Sequence, residues 1–377
     1  MMRVGKYGGV INRRSLLQML SCSAVVCGGV KRAMAVDWPV ELVKPAAISP
    51  LAQTGLFNNI ALVGDRLIAA GERGRIMLSD DSGASWRQAP CPVSATLISC
   101  RFVSEKIGWI SGQMGVVLKT TDGGEGWTRV LDGFTAANAM VVEAKSDAAK
   151  PNVVVSPASY GTAPTELQNA QFFVSSGAAN PLLTILPISD THLITFGAFG
   201  LALQSLDGGG TWQGIAANVP DPNGLHIYSA LQASGGVIIV GEQGLIMRGS
   251  PGTVLSTIQS PFSGSLFGLL AIAPGTQLAF GLQGAVLLSP DDGRTWQSVT
   301  PATSSGILAG LVLKDQRIVL GDESGNLLVS ADGGHNFKLL PGTLPVTALA
   351  QAPDQSIILG TPIGLHRLPI QALARSA

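Results

Sequence analysis

Charge is scarce in this sequence. Only 13% of its residues are Asp, Glu, Lys or Arg, and Phe, Trp and Tyr together make up 5%. There are four cysteines, four histidines and three tyrosines. The histidines are scattered and no Cys/His spacing fits a metal centre, so neither a metal nor another cofactor is expected. Basic runs are missing outside residues 1–35. That segment holds six of the 24 bases and no acid, leaving 18 bases against 24 acids and a net charge of −6 for the remainder. Such a balance excludes a nucleic-acid surface built on electrostatics. Long hydrophobic runs are missing too. The longest apolar stretch, Leu16 to Val30, is broken by Ser21, Ser23 and two glycines and is too weak to span a bilayer.

What residues 1–35 do contain has the order of an export signal: a basic start ending in Arg13-Arg14, the short apolar core, then Ala33-Met34-Ala35 as a cleavage site. The run Asn12-Arg13-Arg14-Ser15-Leu16-Leu17-Gln18 resembles a twin-arginine signal, with an ordinary secretory signal as the alternative. Neither Cys22 nor Cys27 has a good lipidation context. Cleavage after Ala35 leaves Cys91 and Cys100, for which an oxidising compartment permits a disulfide. Burial as two free thiols is the commoner fate of such residues. The mature chain, residues 36–377, is long enough to bury a sizeable core as one domain.

Internal repetition decides the fold. The pattern Ser/Thr-x-Asp-x-Gly-x-x-Trp occurs at Ser79-Asp81-Gly83-Trp86, Thr120-Asp122-Gly124-Trp127, Ser205-Asp207-Gly209-Trp212 and Ser289-Asp291-Gly293-Trp296. A fifth copy, Ser330-Asp332-Gly334-Phe337, has Phe for Trp. This Asp-box pattern reads as a hairpin staple. The Asp accepts hydrogen bonds from its own turn, the Gly takes a positive φ, and the aromatic packs beneath. Five repeats of one carboxylate argue for structure and against catalysis.

Upstream of each box lies a Gly-x-x-Gly turn between two apolar runs. It begins at Gly71, Gly112, Gly197, Gly241 and Gly281, and recurs with an extra residue at Gly321 and Gly360. No helix and no Walker lysine follow, so these are hairpin turns rather than phosphate loops. Successive starts lie 41, 85, 44, 40, 40 and 39 residues apart. A period near 40 with four short strands predicts an all-β, seven-bladed β-propeller. Gly249-Ser250-Pro251-Gly252 replaces the box of blade four. Blade seven ends without a fourth strand, so residues 37–43 are expected to complete it and close the ring. The 85-residue interval holds an insertion, residues 134–180. Thr135–Ala144 and Thr165–Ser175 have helical spacing within it, whereas Pro151–Ser156 is strand-like.

The stretch from Ile107 to Gly124 (IGWISGQMGVVLKTTDGG) resembles the repeat of the photosystem II stability and assembly factor family, and the likeness extends from about Asp37 to Leu368. The resemblance implies a seven-bladed Asp-box propeller acting without catalysis. It also implies a scaffold for a membrane or envelope protein complex on the exported, periplasmic or secreted side. A monomer with a protein partner is expected.

The rival class is a glycoside hydrolase, because sialidases and some glucanases share Asp boxes. A sialidase needs an arginine triad and a Tyr nucleophile with a Glu partner. Only Tyr160 and Tyr228 follow the leader, and Tyr160 lies in the insertion. No Gly-x-Ser-x-Gly elbow stands between a strand and a helix. Candidate binding residues are those expected at the channel mouth (Phe57, Asn58, Thr96, His226, Tyr228 and Phe267). A second candidate is the arginine group of blades one and two (Arg66, Arg73, Arg75, Arg87 and Arg101), which would suit acidic partner loops.

Overall fold

A computed structural model describes residues 38–148, 166–221, 223–300 and 302–374. The export-signal reading, Asp37, the strand-like Pro151–Ser156 and Tyr160 fall outside them. The described residues form seven antiparallel sheets, six of four strands and one of three. Blade one is β1 (Phe57–Val63), β2 (Arg66–Gly71), β3 (Ile76–Ser79) and β4 (Arg87–Gln88). Blade two is β5 (Leu97–Phe102), β6 (Gly108–Gly112), β7 (Val117–Thr120) and β8 (Thr128–Leu131). Each innermost strand touches the next, and that of blade seven, Ala348–Gln351, returns to β1. At this joint the Thr347 hydroxyl donates to the Phe57 carbonyl at 2.6 Å.

In blades one to six the second and third strands are largely buried on both faces, as in β3, where every residue is inaccessible. This is why they read as unbroken apolar runs instead of alternating. Their residues interdigitate with those of the neighbouring blades, as Ile68, Leu78, Ile110 and Leu118 do between blades one and two.

The paired glycines answer two separate constraints. A Cβ on Gly71 would lie 2.1 Å from the Leu56 carbonyl, so this position needs space. Gly74 has φ +71 and follows Arg73 at φ +54, with the Arg75 amide donating to the Glu72 carbonyl at 3.0 Å. Two central residues with positive φ make a type I′ turn. Met114, Phe199, Gln243 and Gln283 hold the Arg73 position in four other blades, all at positive φ.

The insertion is helical where it is described. Helix α2 (Gly133–Ala148) and helix α3 (Glu166–Ser175) pack together, and α2 packs against the outer part of blade three. Asp132 caps α2, accepting from the Thr135 amide at 3.0 Å. Ala136, Met140 and Ala144 repeat every fourth residue and meet Phe173 in a cluster with Trp109 and Leu201. Burying Met140 and Phe173 alone contributes about 1.5–3 kcal/mol each.

One expectation fails. Residues 37–43 add no strand to blade seven. Their described part is a single helical turn, α1 (Val40–Val43), with Lys44 donating to the Val40 carbonyl at 2.9 Å. Pro39, with φ near −52, starts this turn. Leu42 then fills the cluster between blades one and two, and Arg129 donates to its carbonyl at 2.7 Å. Trp38 packs edge-on against Phe134 with ring centroids 5.0 Å apart. The chain continues past Gln88 of β4, which bonds Ala47 and Ser49, before entering β1. Among the described residues, no strand pairs with the outer edge of blade seven's Gly364–Leu368. Exposed Arg367 gives it a charge that discourages edge pairing.

Candidate protein-binding face

Strand direction sorts every loop onto one of two faces. In blade one the β1–β2 hairpin closes at Val63 and Arg66 and opens at Phe57 and Gly71. The first hairpin turns and the Asp boxes therefore share one end, the box face. The Gly-framed turns, the entries into the innermost strands and the helical insertion share the other, the turn face.

On the box face all five staples close alike. The Ser79 hydroxyl donates to Asp81 at 2.8 Å and accepts from the Gly83 amide at 2.8 Å. Asp81 also accepts from the Ser85 amide at 2.9 Å and the Ser85 hydroxyl at 2.6 Å. The Ser/Thr hydroxyl and backbone amide bonds recur at Asp122, Asp207, Asp291 and Asp332; the second side-chain bond comes from the Thr211 and Thr295 hydroxyls and the Asn336 amide, and Asp122 does without it because Gly126 stands there. Trp127 and Trp296 return a hydrogen bond to the box glycine carbonyl, and Trp212 reaches the Val130 carbonyl of blade two. Trp86 and Phe337 are half-buried members of their blade clusters. These bonds hold the carboxylates ionised. Hydrogen bonds from the Ser85 hydroxyl and amide pull Asp81 down to about 2. The Thr211 amide and hydroxyl do the same to Asp207.

The arginine group does not form one patch. Arg66 and Arg87 lie at the box end, neutralised by Asp80 and Glu125 at 2.6–2.8 Å. Arg75 lies on the turn face, paired to Glu72 at 2.9 Å. Arg101 is on the innermost strand of blade two, with its own chain's Cys100 carbonyl at 3.3 Å, and burial lowers its pKa. Arg73 stands exposed at its positive-φ turn. Only Arg73 and Arg75 remain together on the turn face. Cys91 and Cys100 are both free and buried, and burial pushes their thiols up to about 11 and about 12.

The expected channel-mouth residues divide as well. Phe57 is fully buried in the joint between blades one and seven, so it belongs to the core. The cause is a β-bulge near the start of β1, which skips residue 58 and shifts the alternation by one. The skipped residues of six blades are Asn58, Ile98, Leu183, Tyr228, Phe267 and Leu308, and all are half-buried. They ring the mouth on the turn face. The Asn58 amide is engaged with the Leu97 carbonyl at 2.8 Å. Thr96 gives its backbone carbonyl to Gln113 at 2.8 Å.

His226, Tyr228 and Phe267 are drawn together. Tyr228 meets Phe267 edge-to-face at 5.4 Å and His226 at 6.1 Å. The ladder continues outward from His226 to Phe199 at 4.8 Å and to Phe172 of α3 at 5.8 Å. Phe199 and Phe172 had no signal in the reading of single motifs. The positive-φ position of the Gly-framed turn is exposed in Arg73, Phe199, Gln243 and Gln283, and an aromatic side chain there is unusual. Phe199 would stand out in an alignment of the seven turns.

Glu242 lies under the ladder. It accepts from the His226 amide at 2.8 Å and from the Tyr228 hydroxyl at 3.4 Å. Burial raises the Tyr228 pKa, and the Glu242 charge raises it further. A Tyr–Glu couple is the nucleophile arrangement that sialidase chemistry uses, but that chemistry also needs clustered arginines. Residues 151–247 contain no Lys or Arg at all.

No protein-family model matches the chain. Among curated proteins, the photosystem II assembly lipoprotein Ycf48 of Synechococcus sp. (strain CC9902) is 26% identical over 282 residues, covering 72% of this chain and 71% of that protein. Among solved structures, YCF48 bound to D1 peptide matches with a TM-score of 0.57 at 18% identity, over 86% of this chain and 96% of that one. YCF48 from Cyanidioschyzon merolae gives 0.58 at 14% identity, over 85% and 97%. The WD40 propeller of Doa1 scores 0.55 at 12% identity, so at this level shape speaks only for the fold. The structures establish a seven-bladed β-propeller, and the sequence match makes the chain similar to the photosystem II assembly factor Ycf48 over most of its length.

Proposed function

We propose that the chain is an exported, monomeric, non-catalytic scaffold that grips a segment of a membrane or envelope protein complex on its turn face. The observation that carries this reading is the half-exposed aromatic ladder at the channel mouth, which joins the innermost strands to the helical insertion. Aromatic anchors at the centre of a concave rim are what protein interfaces use. The carboxylates that repeat along the chain are occupied in staples, which leaves them a structural role. The D1 peptide bound to the related YCF48 supports a protein segment as ligand. The relative's being a lipoprotein supports an exported, membrane-associated life; cleavage near Ala35 is the reading of this chain's own leader.

The test is to tag the C-terminus, express the protein in its own host, crosslink gently and identify what co-purifies from the membrane fraction. A stoichiometric membrane complex, lost when residues 136–178 are deleted or Tyr228 is replaced, would support the scaffold. A preparation free of protein partners that cleaves aryl glycosides would favour the hydrolase reading, for which the Tyr228–Glu242 couple is the one supporting feature.

A further inference from the structure

We propose that blades three to five, with α3, form a docking strip for a partner segment carrying Lys or Arg among aliphatic residues. This deepens the scaffold reading and rests on it. The strip is apolar where it is exposed. Phe172 is 50% accessible and Phe199 46%, and their neighbours His226, Tyr228 and Phe267 are half-buried. Four edge-to-face steps of 4.8 to 6.1 Å link the five rings. That length matches about six residues of extended chain at ~3.3 Å each. A contiguous exposed patch of this kind marks an interaction site. Phe199 strengthens the point. Its turn demands a positive φ, where Gly or Asn would be cheaper, yet the position holds an exposed aromatic.

Charge selects the partner. Glu242 and Asp221 border the strip, and the Glu242 charge adds to burial in raising the Asp221 pKa. From residue 151 to residue 293 the sequence has a single base, Arg248, which is committed to Asp292 at 3.4 Å. Among the described residues no Lys or Arg pairs with either carboxylate: Glu242 has His226 Nδ1 at 3.6 Å, and Asp221 accepts from the Asn223 and Leu225 amides, whereas Arg73 and Arg75 lie across the ring on blade one. An ammonium or guanidinium group could meet Glu242 while lying over a ring face.

The experiment uses fluorescence anisotropy with the full mature chain and a labelled peptide of about twelve residues, twice the reach of the strip at ~3.3 Å per residue. The peptide places lysines among leucine, valine and serine; its twin carries glutamate in place of each lysine. The expected result is binding of the lysine peptide alone, weakened about tenfold or more by Phe199→Asn and by Glu242→Gln and unchanged by Arg73→Glu. Phe199→Asn suits the turn's backbone, so it tests the ring without endangering the fold. Equal binding of the acidic twin, or full affinity in Phe199→Asn, would overturn the proposal. So would a gain in affinity on deleting residues 149–165, which would mean that the chain covers its own strip. Should the lysine peptide fail while a membrane complex still co-purifies regardless of Phe199→Asn, this inference falls and the scaffold stands. Loss of both removes both.

Discussion

Replacing Phe57 by Ala separates a core residue from a rim residue at the point where the ring closes. The side chain is fully buried among Ile60, Leu67, Ala348 and Ile358, half from blade one and half from blade seven. Its loss removes apolar contacts and leaves a cavity that neither rigid blade can collapse into, a cost of about 3–5 kcal/mol. A propeller of about 340 residues unfolds with an entropy near 0.7 kcal/mol/K, so Tm should fall by about 4–7 °C. Calorimetry measures this directly, and limited proteolysis should show blades one and seven opening first. Partner binding in the folded fraction should be unchanged. A variant with unaltered Tm and impaired partner binding would refute the assignment and return Phe57 to the channel mouth.

Four further outcomes follow from the same geometry. Asp81 and Asp207 have native pKa values of about 2, below the ordinary 3.8, so their contribution to stability is complete above pH 4 and is lost as pH falls toward 2. Acid unfolding curves should be shallower in the Asp81→Asn and Asp207→Asn double variant, and identical curves would contradict the staple. Cys91 and Cys100 should resist a thiol reagent at pH 8 until the protein is unfolded, because burial holds them protonated; rapid labelling of the native protein would argue against it. Leu42→Ala should destabilise by about 2–5 kcal/mol through the blade one and two cluster while leaving blade seven's protease resistance intact. Phe199→Asn should raise stability by up to about 1 kcal/mol, since Asn accepts the left-handed backbone more readily than Phe; a lower Tm would show that the ladder itself supports the fold.

The propeller was legible because its signals are local and repeated. Box, Gly-framed turn and apolar strand recur in register, and each has its own physical cause. The insertion's helices were legible from apolar spacing over several turns, as in Ala136, Met140 and Ala144. The channel mouth was harder, because a single bulge residue exchanges the two sides of a strand. It turned Phe57 inward and left Tyr228 and Phe267 on the rim. The arginines failed for a related reason: neighbours in sequence at opposite ends of a hairpin, such as Arg66 and Arg73, end on opposite faces. Residues 40–43 misled because Val40 and Leu42 alternate like a strand, while Pro39 and the core site for Leu42 favour one helical turn. Phe172 and Phe199 meet only through tertiary packing, which no local pattern announces.

The most direct test puts a photo-crosslinking amino acid at position 199 on the turn face and, separately, at position 294 on the box face, then irradiates cells of the native host. The account predicts that position 199 captures a subunit of a membrane or envelope complex and position 294 captures none. Capture from position 294 alone would contradict it.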